Sequence, residues 1–534
     1  MEKNHFLKSA QNLTIEQKIG QLVLAQTFGR FRGNSAREYK ASEKLVTNYH
    51  VAGFKLYHGY ALGTLMFTSH AQSMAATPLF IASDLETGLG QQIVDAPRFP
   101  PLSAFGVINN SDLAYQAAFF TAKEALQLGI NMIFSPLLDL HTSEDTYFGL
   151  RSIGSDPHIS GEIGRQFVLG ISDAGAISTV KYFPGNGRQL FCNDGSTLNH
   201  QSYDHLNTYE WIPFKAAIAA GVDAVMLSHG AFPQLDNTKW SSDAGTRPAA
   251  LSRRIVQKYL RDELGFKGLV VTDALNLPFL RKHSIRKIAY HAIVAGADLL
   301  VALTTPQDAI DAIKGIYDAL ESGKVTEEQI NLSVARILRA KNKINQSVLT
   351  RLPLSKIDIS IGNDKTTELI DEISRRSIRL IKKPQSGFPI QKRPLTIGCL
   401  VIGSSQMLDQ VKSDQWVPWH KLDPHENVNI EWNAITTTSE KTDFPHLNFS
   451  QSEFVVIALL QLDRLSREIL DSYIEYFQNM DIRIILAIPI SLNAAKSLNT
   501  TAWAVIWMPD FQQASRHALF SVIIGELHSE EFLS

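Results

Sequence analysis

The stretch RRIVQKYLRDELGFKGLVVTDAL, Arg253–Leu275, holds the unit from which the fold is read. A helical pattern, Arg253–Leu264, gives way within a few residues to an apolar strand, Leu269–Asp273, and the strand ends on a carboxylate. The strand is a continuous apolar run rather than an alternation, which suits a parallel sheet covered on both faces. Similar runs recur along the chain: Gly53–Tyr57, Pro78–Asp84, Asn131–Leu140, Ile177–Phe183, Ala224–Ser228 and Leu299–Leu303. Helical patterns separate them, among them Leu113–Leu128, Ile159–Ala174, Glu210–Ala220, Ile285–Ala295 and Pro306–Glu321. Pro306 behind Thr305 is a favourable first helical residue, and Thr326 with Gln329 fits a capping box for a helix to about Ile344. Repeated strand–helix units predict an α/β fold with a TIM-like (β/α) barrel, and a doubly wound open sheet is the alternative. Seven strands are evident, so an eighth is missing, short or irregular.

The barrel is expected over residues 1–345, followed by a polar linker at 346–367 that contains Pro353. A second alternating block, 368–534, has strands at Leu395–Ile402, Val428–Trp432, Phe454–Leu460, Ile482–Ile488 and Trp503–Trp507 and helices near Arg467–Asn479 and Gln513–Leu527. It reads as a smaller α/β sandwich.

Composition narrows the class. The 534 residues are 44% hydrophobic and 19% charged, enough apolar content for sizeable cores and too much for disorder. A net charge of −2 gives no electrostatic reason to expect a nucleic-acid or anionic-membrane partner. The N-terminus lacks the apolar region of a signal peptide, no run is long enough to span a bilayer, and only Cys192 and Cys399 are present. The expected location is a reducing cytoplasm.

In a (β/α) barrel the active site lies at the C-terminal ends of the strands. Those ends carry Asp84 and Glu86, Asp139 and His141, Lys181 and Tyr182, Ser228 and His229, and Asp273, with Arg151 in the loop after the third evident strand. Each alone is as well explained by a solvated loop position, a helix cap or a hydrogen-bonded core histidine. Asp273 differs, because Gly268–Thr272 leads a buried run straight into it; it is a helix cap or a catalytic group. Carboxylates with one Lys and one Arg suit a neutral polyhydroxylated ligand. Glycoside hydrolysis needs a carboxylate to meet oxocarbenium-like charge and a proton donor for the leaving oxygen. HExxH, CxxC and GxSxG with triad context are absent, and VIGSSQ (Val401–Gln406) lacks the glycines of a dinucleotide fingerprint. Schiff-base chemistry through Lys181 stays open.

One loop remains, KYFPGNGRQLFCNDGSTLNHQS, Lys181–Ser202. It leaves a strand, turns at Pro184, Gly185 and Gly187, and then offers proton carriers: Asp194, His200, Asp204 and His205.

Taken in order, LTIEQKIGQLVL (Leu13–Leu24), IASDLETGLGQQI, GLRSIGSDP (Gly149–Pro157), KYFPGNG, PAALSRRIVQKYLRDELGFKGLVVTDAL (Pro248–Leu275) and AGADLLV (Ala295–Val301) resemble the motifs of glycoside hydrolase family 3. The similarity is to its bacterial β-N-acetylglucosaminidases of peptidoglycan recycling. It covers roughly residues 10–345 in register, and the first stretch resembles the family's opening helix. The resemblance implies a retaining mechanism with Asp273 as nucleophile. Asp84, Arg151, Lys181, Tyr182 and His229 would bind the sugar, and no cofactor is needed. The substrate would be a small carbohydrate, most simply a terminal β-N-acetylglucosaminide. The alternatives are a β-glucosidase, a β-xylosidase or a phosphorylase of the same fold, and a catalytically impaired sugar-binding protein.

The sequence also departs from the family. The arginine of Gly-Gly-Arg is Leu89, Lys-His is Lys181-Tyr182, and Gly-His-Gly is Gly185-Asn186-Gly187. The branch's Asp-x-His, whose histidine is the acid/base, falls on Cys192 and Asp194. The acid is therefore expected to be Asp194 or, by a longer reach, His200. A glutamate of the second domain, as in other branches, is the remaining option.

Overall fold

The computed structural model describes residues 2–30, 37–141, 149–192, 196–239, 245–277, 280–302, 305–344, 360–384, 386–390, 395–403, 428–436, 449, 452–460, 464–489, 492–496, 498–510 and 512–525. They pack as two compact units. One is Met1–Phe99, Asn109–His141 and Ser152–Thr366; the other is Pro100–Ile108, Thr142–Arg151 and Thr367–Ser534. Two short segments from within the barrel sequence thus go with the second unit. Their apolar side chains explain it: Val107 and Leu150 pack on the core of the second sheet.

The strands of the first unit are β1 (Val23–Phe28), β2 (Gly53–Tyr57), β3 (Phe80–Ser83), β4 (Met132–Ile133), β5 (Ile177–Phe183), β8 (Ala224–Leu227), β9 (Leu269–Ala274) and β10 (Leu299–Val301). They close into a parallel barrel in the order β1-β10-β9-β8-β5-β4-β3-β2. A short hairpin, β6 (Leu190–Phe191) with β7 (Thr197–Leu198), sits in the loop after β5.

The strand missing from the sequence reading is β1. The stretch expected to be one opening helix is a six-residue helix, Ile15–Gly20, with a Thr14/Gln17 capping box, followed after two residues by β1. Gly20 is the last residue of that helix, and a Cβ there would lie 2.0 Å from the Tyr49 carbonyl oxygen, so only glycine lets the helix end pack against the turn that leads into β2. β4 is shorter than the Asn131–Leu140 run expected. Its ladder stops before Pro136, which has no N–H to give. The chain still follows β5, with Lys181 donating its N–H to Pro136 and Leu138 its own to Lys181. Leu303 lies outside the described residues. The helices Ile285–Ala295 and Pro306–Glu321 form where the periodicity puts them, and the Thr326/Gln329 box is present.

The second unit is a six-stranded sheet with apolar cores on both faces. Its strands are β11 (Arg379–Lys382), β12 (Leu395–Gly403), β13 (Val428–Thr436), β14 (Phe454–Leu459), β15 (Arg483–Ile488) and β16 (Ala504–Trp507), in the order β11-β16-β15-β14-β12-β13. All pairs are parallel except β11 with β16. β11 escaped the sequence reading because a four-residue antiparallel edge strand has one outer neighbour and no long apolar run. The helix Arg464–Asn479 buries Leu470, Tyr473, Ile474 and Phe477 on one face, and the helix Gln513–Ile523 buries Leu519 and Ile523 on the other. Of the expected linker, residues 346–359 lie outside the described residues, and 364–377 are already helical.

Candidate active site

Strand alternation decides what β2 gives to the barrel interior. Phe54 turns outward, its ring 5.4 Å from Phe67 of the surrounding helix Ala61–Met74, so Lys55 and Tyr57 share the opposite, inward face. Lys55 is buried. Its Nζ lies 2.5 Å from Asp84 Oδ2, 4.7 Å from the Tyr57 ring centroid and 5.2 Å from that of Phe134. Asp84 follows β3 directly. Its other oxygen, Oδ1, accepts from Lys181 Nζ at 2.7 Å, and Lys181 also meets Glu86 Oε1 at 2.6 Å. Burial alone would raise the Asp84 pKa, but Lys181 and then Lys55 hold it well below the ordinary carboxylate range. Burial likewise opposes the charged form of Lys55, yet Asp84 above all keeps its pKa above the ordinary lysine value.

Asp273 sits in β9, half-buried, with Oδ1 accepting from the Ala274 N–H at 2.7 Å. Its charge reaches Lys55, Tyr57 and His229. His229 follows β8 and is buried; burial lowers its pKa against the pull of the Asp273 carboxylate and the Asp273–Ala274 backbone. The strand ends therefore bring Asp84, Lys181, His229 and Asp273 into one electrostatic neighbourhood, with Lys55, Tyr57 and Glu86 completing it.

The loop after β5 is tied down from several sides. Asp139, buried after β4, accepts from the Tyr182 N–H (3.2 Å) and the Asn186 N–H (2.5 Å). Ser228 Oγ donates to Asn186 Oδ1 at 2.5 Å, and Asn199 Nδ2 donates to the Gly185 carbonyl at 3.0 Å. Trp211, fully buried, donates its Nε1–H to the Pro184 carbonyl at 2.9 Å. Gly187 passes so near the Leu140 carbonyl that a Cβ would lie 1.8 Å from its oxygen, so a glycine is required. Under this loop lies a buried carboxyl, Glu210, with Arg188 Nε and His205 Nε2 each 3.6 Å away. Burial pushes its pKa up to about 7 against the pull of Arg188.

The two acid candidates fare differently. Asp194 lies outside the described residues; the strands on either side of it, β6 and β7, are paired, and Ser196 O accepts from the Cys192 N–H. His200 is exposed, while its neighbour Asn199 is bound to Ala231 and Gly185. Tyr182 is half-buried, its ring centroid 5.6 Å from Lys181 Nζ. Arg151 ends the short turn Gly149–Arg151 and belongs to the second packing unit. His141 is buried, which lowers its imidazole pKa to about 4.

Lys55 was missed because only residues at or beyond strand ends were singled out from the sequence, and Tyr57, which ends β2, was within reach of that rule but not named. The signal was present: a lysine in the middle of VAGFKLY, where a strand covered on both faces calls for an apolar residue.

Among the described residues, no helix is long and apolar enough to cross a membrane. Residues 14–340 match the family model "Glycosyl hydrolase family 3 N terminal domain". A "Beta-N-acetylglucosaminidase/beta-glucosidase" of Cellulomonas fimi is 27% identical over 387 residues, covering 71% of this chain and 66% of that protein. A "Beta-hexosaminidase" of Stenotrophomonas maltophilia (strain R551-3) is 30% identical over 256 residues, 46% of this chain and 73% of that protein. The solved glycoside hydrolase family 3 β-N-acetylglucosaminidase of Paenibacillus sp. str. FPU-7 superposes with a TM-score of 0.83 at 27% identity, covering 96% of this chain and 97% of that one. With the family model matched over most of the chain, and with its closed parallel barrel, this protein belongs to glycosyl hydrolase family 3.

Proposed function

We propose that this chain is a retaining exo-β-glycosidase that removes terminal β-N-acetylglucosamine, as in the recycling of peptidoglycan or other amino sugars. The observation that carries the reading is the Lys181 bridge between Asp84 and Glu86 in the same electrostatic neighbourhood as Asp273. It supplies fixed acceptors and a cation for a terminal sugar's hydroxyls beside a carboxylate able to attack. The β-hexosaminidase and β-N-acetylglucosaminidase relatives support the choice of sugar.

In this mechanism Asp273 attacks the anomeric carbon while the bond to the leaving oxygen breaks, giving a glycosyl ester on Asp273. An acid protonates the departing oxygen. The same group then takes a proton from water, which attacks the anomeric carbon and frees Asp273. Asp84, Lys181, Tyr182 and His229 hold the sugar. We assign the acid to Asp194 rather than His200, because a carboxylic acid at that loop position replaces the proton donor directly, while His200 is exposed.

The test is hydrolysis of fluorogenic β-glycosides of N-acetylglucosamine, glucose and xylose, with and without phosphate, by the wild type and Asp273→Ala. Turnover of the N-acetylglucosaminide that falls by roughly a thousandfold or more in the variant is expected. Turnover of only another sugar would change the substrate, and dependence on phosphate would change the acceptor. No turnover, with sugar binding retained and no ester trapped on Asp273 by a fluorinated sugar, would make the chain a binding protein.

A further inference from the structure

The established family and the proposed reaction leave β2 without a role, yet its inward face carries the most unusual side chain of the barrel. Lys55 is buried in mid-strand, and its ammonium is engaged by Asp84 Oδ2 and flanked by the rings of Tyr57 and Phe134. Asp84 is thereby held at both oxygens by two different lysines, Lys55 from β2 and Lys181 from β5. A carboxylate gripped at both oxygens cannot rotate, and it keeps only its outward lone pairs for a ligand.

The charge count points the same way. The groups facing Lys55 are Asp84 after β3, Tyr57 on its own strand, Lys181 on β5 and Asp273 on β9. Glu86 joins them through Lys181, and His229 through Asp273. Three carboxylates thus face two ammonium groups. Remove Lys55, and of these two ammonium groups only Lys181 would remain beside the three carboxylates, where like charges drive one another toward the protonated form.

We propose that Lys55 is a positioning residue of the active site: it fixes Asp84 from the oxygen opposite Lys181 and supplies the second positive charge that the cluster of Asp84, Glu86 and Asp273 needs. The role of Asp84 toward sugar, and hence the catalytic part of this inference, rests on the glycosidase reading above. The charge-balancing part does not.

The experiment compares the wild type with Lys55→Met, Lys55→Gln and Lys55→Arg in two ways. The first is kcat/KM against pH with the fluorogenic N-acetylglucosaminide, or with whichever β-glycoside the wild type turns over. The Met and Gln variants are expected to lose about tenfold or more and to move the acidic limb up by about one pH unit or more, with Arg restoring the limb. The second is melting temperature against pH without any sugar. The deficit of Lys55→Met relative to wild type is expected to widen from about pH 5 to about pH 8, as the carboxylates left with one lysine ionise. Lys55→Gln gives the same comparison if Lys55→Met does not fold. An acidic limb that stays in place, a limb shift that Arg does not reverse, or a melting deficit flat with pH would each overturn the proposal. If the wild type cleaves no glycoside, the proposed function fails and the melting comparison alone decides the role of Lys55.

Discussion

Asp139 holds the Asn186 backbone N–H at 2.5 Å, across the junction between the loop after β4 and the loop after β5. With its other oxygen on the Tyr182 N–H, one buried carboxylate fixes both ends of the turn that follows Lys181. The strand-end reading treated Asp139 as a cap or a catalyst; its contacts make it an anchor for the loop.

Asp139→Ala leaves those two N–H groups without their acceptor. Unpaired buried donors cost about 1–3 kcal/mol each, so a loss of about 2–6 kcal/mol in urea unfolding is expected. Activity is expected to fall with it, by about tenfold or more, because the loop proposed to carry the acid loses its fixed base. Unchanged stability would mean that the loop holds itself.

The acid assignment separates by leaving group. Asp194→Asn is expected to slow hydrolysis of an unactivated alkyl N-acetylglucosaminide by about a hundredfold or more, and of an activated aryl one far less, because only the former needs protonation. His200→Ala is expected to stay within about threefold on both, since its side chain is exposed and the acid role is assigned to Asp194. The reverse pattern would transfer the role to His200.

Glu210 gives a pH dependence of stability with a definite sign. Its folded pKa is raised by burial from an ordinary value of 4.5 to about 7, so the folded state holds the proton more tightly than the unfolded chain. Its contribution is fully present below pH 4.5 and is lost as pH rises through 7. Glu210→Gln keeps a neutral side chain at every pH. Relative to wild type it is expected to match near the low end of this window and to be more stable above it by up to about 3 kcal/mol. Denaturant titrations at several pH values read this directly; a constant difference would show that Arg188 and His205 already stabilise the ionised form.

Lys341 runs with the opposite sign. It is buried, donates to Gln21 Oε1 at 2.6 Å and lies 5.2 Å from the Phe80 ring centroid, and burial lowers its pKa from 10.5 to about 7. The unfolded chain therefore binds the proton more tightly, and stability rises with pH between those two values. Lys341→Met removes the desolvated ammonium, so a gain of about 1–3 kcal/mol near neutral pH is expected, shrinking toward pH 10. A loss at neutral pH would mean that the Gln21 hydrogen bond outweighs the desolvation.

The sequence by itself determined the elements whose signal is local. Leu269–Asp273 and Ile177–Phe183 are unbroken apolar runs, and Pro306 behind Thr305 marks a helix start, so the barrel, the second sheet and the strand-end residues Asp84, Lys181 and Asp273 were legible without a partner to pack against. β1 was not, because six residues after a capped helical turn carry too little periodicity to be separated from that helix. Nor was the shortness of β4, where Pro136 ends the ladder only because of what lies beside it. The partners of each charge belong to tertiary structure. That Lys55 meets Asp84, that Asp139 holds Asn186, and that Glu210 lies buried beneath Gly185 depend on the packing of neighbouring strands and their loops, which brings together groups roughly 25 to 47 residues apart. Electrostatics and hydrogen bonding act over a few ångströms of space, and sequence separation carries no measure of that distance.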